Sequence, residues 1–167
     1  MGTSIGISAC LLGQAVRYDG GHKLDNLVVE ILRQHFEFVA VCPETGCGMT
    51  VPREPMRLEG DPDSPRLITT KGRVDKTGQM ERWAQTYIEK LENKNLVGFV
   101  FKSKSPGCGL AVGVYNYQGK VSGRAMGLFA RCFTSRFPSL PVAEAEALHD
   151  AAFRDNFIAR LLRTPHI

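Results

Sequence analysis

The stretch Leu96–Gly109, LVGFVFKSKSPGCG, sets an apolar run directly against a loop of serines, lysines and glycines. A short apolar run without polar alternation reads as a strand buried on both faces, the habit of parallel sheets covered by helices. The loop behind it is built to turn. Pro106 fixes one φ and removes one N–H donor, and the glycines flanking Cys108 permit a sharp bend or a close approach. A cysteine held there belongs at the rim of a sheet, where such folds place their ligands.

Working outward, TSIGISACLLG reads as a first strand ending near Cys10, and FEFVAV as a second, halted by CPETGCG at Cys42. Between them, LDNLVVEILRQHF places Leu27, Ile31 and Leu32 at helical spacing, with Val28 and Phe36 adjoining. A further helix is expected over QMERWAQTYIEKLENK, capped by Asp75 or Thr77, with Trp83, Tyr87 and Leu91 on one face. This alternation predicts an α/β fold: a single domain with a mainly parallel, Rossmann-like sheet and helices on both faces. Pro52 to about Pro65 reads as an extended loop with short irregular elements. RLITTKGRVDKTG reads as a short extended segment turning at Lys71-Gly72, and LAVGVYNYQGKV as another strand. Helices are expected over RAMGLFARCFTSRF and, beyond Pro141, AEAEALHDAAFRDNFIARLL, with Leu148, Phe153, Phe157 and Leu161 as its apolar residues.

If the three strands run parallel, Cys10, Cys42 and Cys108 project from the same edge of the sheet. One cysteine at a strand end is usually a small buried hydrophobe; three at equivalent ends point to a shared site. Three thiolates can hold three irons of a [4Fe–4S] cluster, leaving the fourth open, or a zinc with an open position. Spacing does not separate the two. Cys47, five residues beyond Cys42 in a glycine-rich loop, is a candidate neighbour of the site, whereas Cys132 falls in an expected core helix.

Composition narrows the class. Hydrophobic residues make up 43% and charged residues 23% of the 167-residue chain, as in an ordinary soluble globular domain. No apolar run approaches the ~20 residues that span a bilayer, and the first residues lack the pattern of a secretory signal. A cytoplasmic protein is expected. Five cysteines, an odd number, argue against a disulfide framework and for metal or thiol chemistry. The net charge of +4 is spread along the chain, which permits nucleic acid as a partner without indicating it.

The motifs ISACLLGQAVRYDGGHK, VCPETGCGMTVPREP and KSKSPGCG together resemble the DUF523 family, whose characterised members are thiouracil desulfidases. The likeness runs from residue 4 to about 142, with three separated motifs in the right order, each carrying its cysteine. It implies a desulfidase domain over 1–142, followed by a helical tail over 143–167 that resembles the lead into a second domain in longer members. It further implies a [4Fe–4S] cluster held by Cys10, Cys42 and Cys108, whose open iron takes the sulfur of a thiolated pyrimidine such as 2-thiouracil, giving uracil and sulfide. The family's catalytic glutamate falls on Glu44 and its catalytic serine on Ser105. Where the family form has a second serine this chain has Gly107, a change expected to loosen the loop, and Cys47 is an addition.

Arg17, Asp19 and His22 of RYDGGH are weaker pocket candidates, since turn chemistry also explains them. Arg53 faces either the substrate or an acidic partner. Two other functions fit the same cysteines: a desulfidase acting on thiolated tRNA, and an iron–sulfur or zinc sensor without catalysis. Colour of the anaerobic protein and sulfide release from 2-thiouracil separate them.

Overall fold

The computed structural model describes residues 2–167. Four strands, β1 (Ser4–Ser8), β2 (Glu37–Val41), β5 (Leu96–Phe101) and β8 (Val142–Glu144), form one sheet in the order β2-β1-β5-β8. Every pairing in it is parallel. The sequence therefore reads correctly as an α/β fold with a parallel sheet, but the sheet is only half of the β structure.

A second, mixed sheet runs β4-β3-β6-β7, from β3 (Met56–Asp61), β4 (Ser64–Thr69), β6 (Val112–Tyr115) and β7 (Val121–Ala125). This corrects the expectation of an irregular loop from Pro52 to Pro65. Six residues of β3 pair antiparallel with six of β4 across the Pro62-Asp63 turn, and Leu58 and Leu67 are fully buried opposite each other. The second correction concerns the end of the chain. The helix expected straight after Pro141 begins instead as β8, continues as a 3₁₀ turn over Ala145–His149, and becomes helical only at α5 (Ala151–Arg163).

Helices cover both faces of the parallel sheet. On one, α1 (Asn26–Arg33) and α5 bury Val28, Val29, Leu32, Phe157 and Leu161 against Ile5, Ile7, Val97 and Val100. On the other, α3 (Thr77–Leu91) and α4 (Leu128–Arg136) pack Ala84, Ile88, Phe129 and Phe133 against Phe99 and Phe101. Phe99 and Phe101 stack with ring centroids 4.1 Å apart, and Phe133 meets both edge-on. Each such fully buried side chain contributes ~1.5–3 kcal/mol relative to exposure. β5 is buried along its whole length, because both helical layers lie on it. Gly6 is required here: a Cβ would stand 2.2 Å from the Phe99 ring.

Helix starts follow local chemistry. The Asp25 side chain accepts the Val28 amide at 3.2 Å at the head of α1, and Asp75 accepts the Thr77 amide at 2.9 Å before α3. Leu27 and Phe153 are 42% and 45% exposed, so the apolar stripes of α1 and α5 are narrower than periodicity alone predicts. Among the described residues no helix is long and apolar enough to cross a membrane.

Candidate active site

Parallel strands deliver their carboxyl ends to one edge, and there the chain opens into a cavity of about 600 Å³. Cys10, Cys42 and Cys108 all line it, as do Glu44 and Ser105. The structure thus brings together the five residues singled out in the sequence. Cys10 enters from the 3₁₀ turn Ala9–Leu12 after β1, Cys42 directly follows β2, and Cys108 comes from the loop after β5. All five cysteines are free.

Glu44 lies on α2 (Pro43–Gly46), a single helical turn with Cys42 as its N-cap residue. Pro43 at its first position suits a helix start, where an amide would be unpaired anyway. The Cys42 thiol donates to Oε2 of Glu44 at 3.6 Å. α3 holds this turn in place: Gln79 Nε2 donates to the Cys47 carbonyl at 2.9 Å, and Trp83 lies against Gly46, where a Cβ would stand 2.4 Å from the ring.

The loop carrying Ser105 and Cys108 is held by α4. Amides of Leu128, Phe129 and Ala130 donate to the carbonyls of Pro106 and Gly107 at 3.0–3.1 Å, and the Gly127 amide to that of Gly109 at 2.8 Å. These helix-start amides have no side-chain cap; the loop serves instead. Ser105 Oγ accepts the amides of Gly107 and Cys108 at 3.3 and 3.2 Å. Gly107 is held on two sides. Its carbonyl takes two α4 amides, and a Cβ there would press on Pro43 at 3.3 Å.

Burial raises all three cavity thiols. Cys10 is pushed up to about 11 by desolvation, opposed by nearby Lys102 and reinforced by Cys42 and Glu44. Cys42 is raised by burial and by Glu44, and Cys108, the most deeply buried of the three, is raised well above its ordinary value by burial. Without a metal these groups are thiols at neutral pH, and metal binding would release their protons. Five cations, Arg17, Lys23, Arg53, Lys102 and Lys104, line the same cavity as three acids, Asp25, Glu44 and Glu146. That excess suits a site whose three cysteines become thiolates when a metal binds. Among the described residues no three Cys, His, Asp or Glu side chains are grouped tightly enough to share a single metal ion.

The weaker candidates divide. Arg17 lines the cavity, whereas Asp19 and His22 are occupied by turn bonds, accepting the amides of Gly21 and Leu24 at 2.9 and 3.1 Å. Arg53 lines the cavity and, among the described residues, has no acidic partner; it donates to the carbonyls of Val16 and Thr50, and its Nε is buried without a hydrogen bond there. Cys47 is not on the cavity wall, its thiol donating to the Glu44 carbonyl at 3.3 Å. Cys132 is half-buried on α4 against the aromatic core. Sequence reading passed over Ser8, Lys102 and Glu146. Ser8 Oγ accepts the Lys102 amide at 2.9 Å and ties the end of β1 to the end of β5. Lys102 was visible in KSKSPGCG; Glu146 carries no local signal, because only β8 pairing brings it here.

A family model described as 2-thiouracil desulfurase matches residues 5–145. The chain is 29% identical over 124 residues to the uncharacterized protein YbbK of Bacillus subtilis (strain 168), covering 71% of this chain and 79% of that protein. The solved structure of TudS, a [4Fe–4S]-dependent thiouracil desulfidase, superposes with a TM-score of 0.69 at 26% identity, over 92% of this chain and 98% of that one.

Proposed function

We propose, for a chain that belongs to the 2-thiouracil desulfurase family, a [4Fe–4S]-dependent desulfidase in which Cys10, Cys42 and Cys108 hold the cluster. One observation carries the assignment: thiols from the ends of three parallel strands line a single cavity together with Glu44 and Ser105. The donor set fits, since three cysteines leave one iron without a protein ligand. When bound, such a cluster supplies a soft Lewis acid suited to a thiocarbonyl sulfur.

The reaction balances as 2-thiouracil plus water giving uracil plus hydrogen sulfide. Water forms the new C–O bond, the C–S bond breaks, and two protons move from water to the departing sulfur. Glu44 carries a proton between them, because its carboxylate stands at the cavity wall beside the Cys42 sulfur. Ser105 already accepts two backbone amides, so its hydroxyl proton is free to orient water or a ring carbonyl. A small thiolated base is the substrate that a 600 Å³ cavity suits. Five free cysteines fit a reducing compartment, the cytoplasm.

Anaerobic reconstitution with iron and sulfide tests the reading. A brown protein holding about four irons per chain and releasing sulfide from 2-thiouracil is expected. A colourless protein overturns the cluster, and a brown protein without turnover overturns catalysis in favour of a sensor.

A further inference from the structure

We infer that Glu144 and Glu146 are positioning residues for the reaction proposed above, gripping the two ends of the loop that carries Ser105 and Cys108. β8 pairs in parallel with β5, with Glu144 opposite Phe101, so its carboxyl end arrives where β5 gives way to the loop. Glu144 Oε2 accepts the Leu110 amide at 3.1 Å. Two residues further on, Glu146 Oε1 accepts the Ser103 hydroxyl at 2.7 Å. Ser103 is 5% exposed and has a second bond, accepting Lys102 Nζ at 3.3 Å, while the same ammonium donates to the Ser103 carbonyl at 2.8 Å.

The two grips are complementary to that of α4. α4 amides take the loop's carbonyls at Pro106, Gly107 and Gly109. The carboxylates at the end of β8 and in the 3₁₀ turn after it take a donor on either side, at Leu110 and Ser103. Charged acceptors make the stronger class of hydrogen bond. Between the grips lie Ser105 and Cys108, whose separation from Glu44 across the cavity depends on where the loop is pinned. Glu146 lies just past the residues that the family model matches, yet it stands on the cavity wall.

The test compares Glu144→Ala, Glu146→Ala and the double variant with their glutamine counterparts, whose side-chain oxygen still accepts. Amide exchange at Leu110 and Cys108 is read on the cluster-free protein, and kcat and KM for 2-thiouracil on the reconstituted one. In the double alanine variant the Leu110 amide should exchange about tenfold faster, the loss expected for one charged hydrogen bond. Its kcat should fall about tenfold or more while KM changes little, and the double glutamine variant should recover most of the loss. Parent-like Leu110 exchange in the double variant overturns the inference, as does glutamine performing no better than alanine. If the double variant does not fold, the single Glu146→Ala and Glu146→Gln pair decides by the same rescue. A parent protein that binds iron but releases no sulfide would sink the desulfidase reading alone, because the exchange measurement needs no turnover.

Discussion

Ser105 Oγ accepts the Cys108 amide at 3.2 Å, so the candidate catalytic hydroxyl and the candidate ligand belong to one hydrogen-bonded turn. Mutation should nevertheless separate catalysis from ligation, because the turn is also pinned through its carbonyls by α4.

Glu44→Gln and Ser105→Ala should both retain iron. Glutamine keeps the size of Glu44 but cannot ionise, and general acid–base assistance is typically worth ~10²–10⁴-fold in rate. Sulfide release from 2-thiouracil should fall by about that range in Glu44→Gln, and substantially in Ser105→Ala. Iron content and sulfide release on the same anaerobic samples check this. Full iron with parent turnover in both would remove these residues from the mechanism.

Replacing Cys10, Cys42 or Cys108 with serine should each abolish most iron binding. Cys47→Ser and Cys132→Ser should bind iron like the parent, since neither thiol lines the cavity. Iron per chain after anaerobic desalting decides. Loss in Cys47→Ser equal to that in Cys42→Ser would make Cys47 a ligand and leave no open iron.

Gly127→Ala should damage the site more than the fold. Its Cβ would stand 2.5 Å from the Gly107 carbonyl carbon and 2.8 Å from the Cys108 amide nitrogen, backbone atoms that cannot rotate aside. Overpacking typically costs ~1–3 kcal/mol, and relief requires moving the loop. Reduced iron retention with a melting temperature only modestly lowered is the expected result; parent iron content would show the loop to be pliant.

Acid should weaken the second sheet through Glu59. Hydrogen bonds from Arg73 at 2.5 and 2.6 Å, with Arg57 at 2.9 Å, hold its carboxyl down to about 2 from 4.5. A lowered carboxyl stabilises the fold above its ordinary range, and that contribution disappears as pH falls from 4.5 through about 2. Glu59→Gln should flatten this part of the stability curve. Urea midpoints of parent and variant across that window check it, and curves of equal slope would show the pairs to be inert.

The parallel sheet was legible because β5 carries apolar residues without alternation and β1 is a run of small and β-branched residues, and the cysteines because each follows a strand that could be read. The second sheet was legible only in part: RLITTKGRVDKTG and LAVGVYNYQGKV read as extended, and they hold most of β4 and all of β6. MRLEGDPDSP looks like loop by its prolines, glycine and acids, yet Leu58 and Pro65 occupy inward positions of a hairpin with Leu67 and Thr69. β8 has three residues, too few for any period to show, and the role of Glu146 depends entirely on it. In α1, apolar residues flank more than one stripe, so only packing decides that Val29 turns inward and Leu27 outward.

The start of α4 has its amides committed to the cysteine loop, and this bears on biogenesis. Cys10 and Cys42 leave the ribosome long before residues 127–130 that complete the Cys108 turn, and before β8, which flanks β5. Such long-range closure comes late in folding. On the proposed ligand set, iron and sulfide would reach a finished protein rather than a nascent one, and the apoprotein should be a folded species. Its far-ultraviolet circular dichroism should match that of the loaded form.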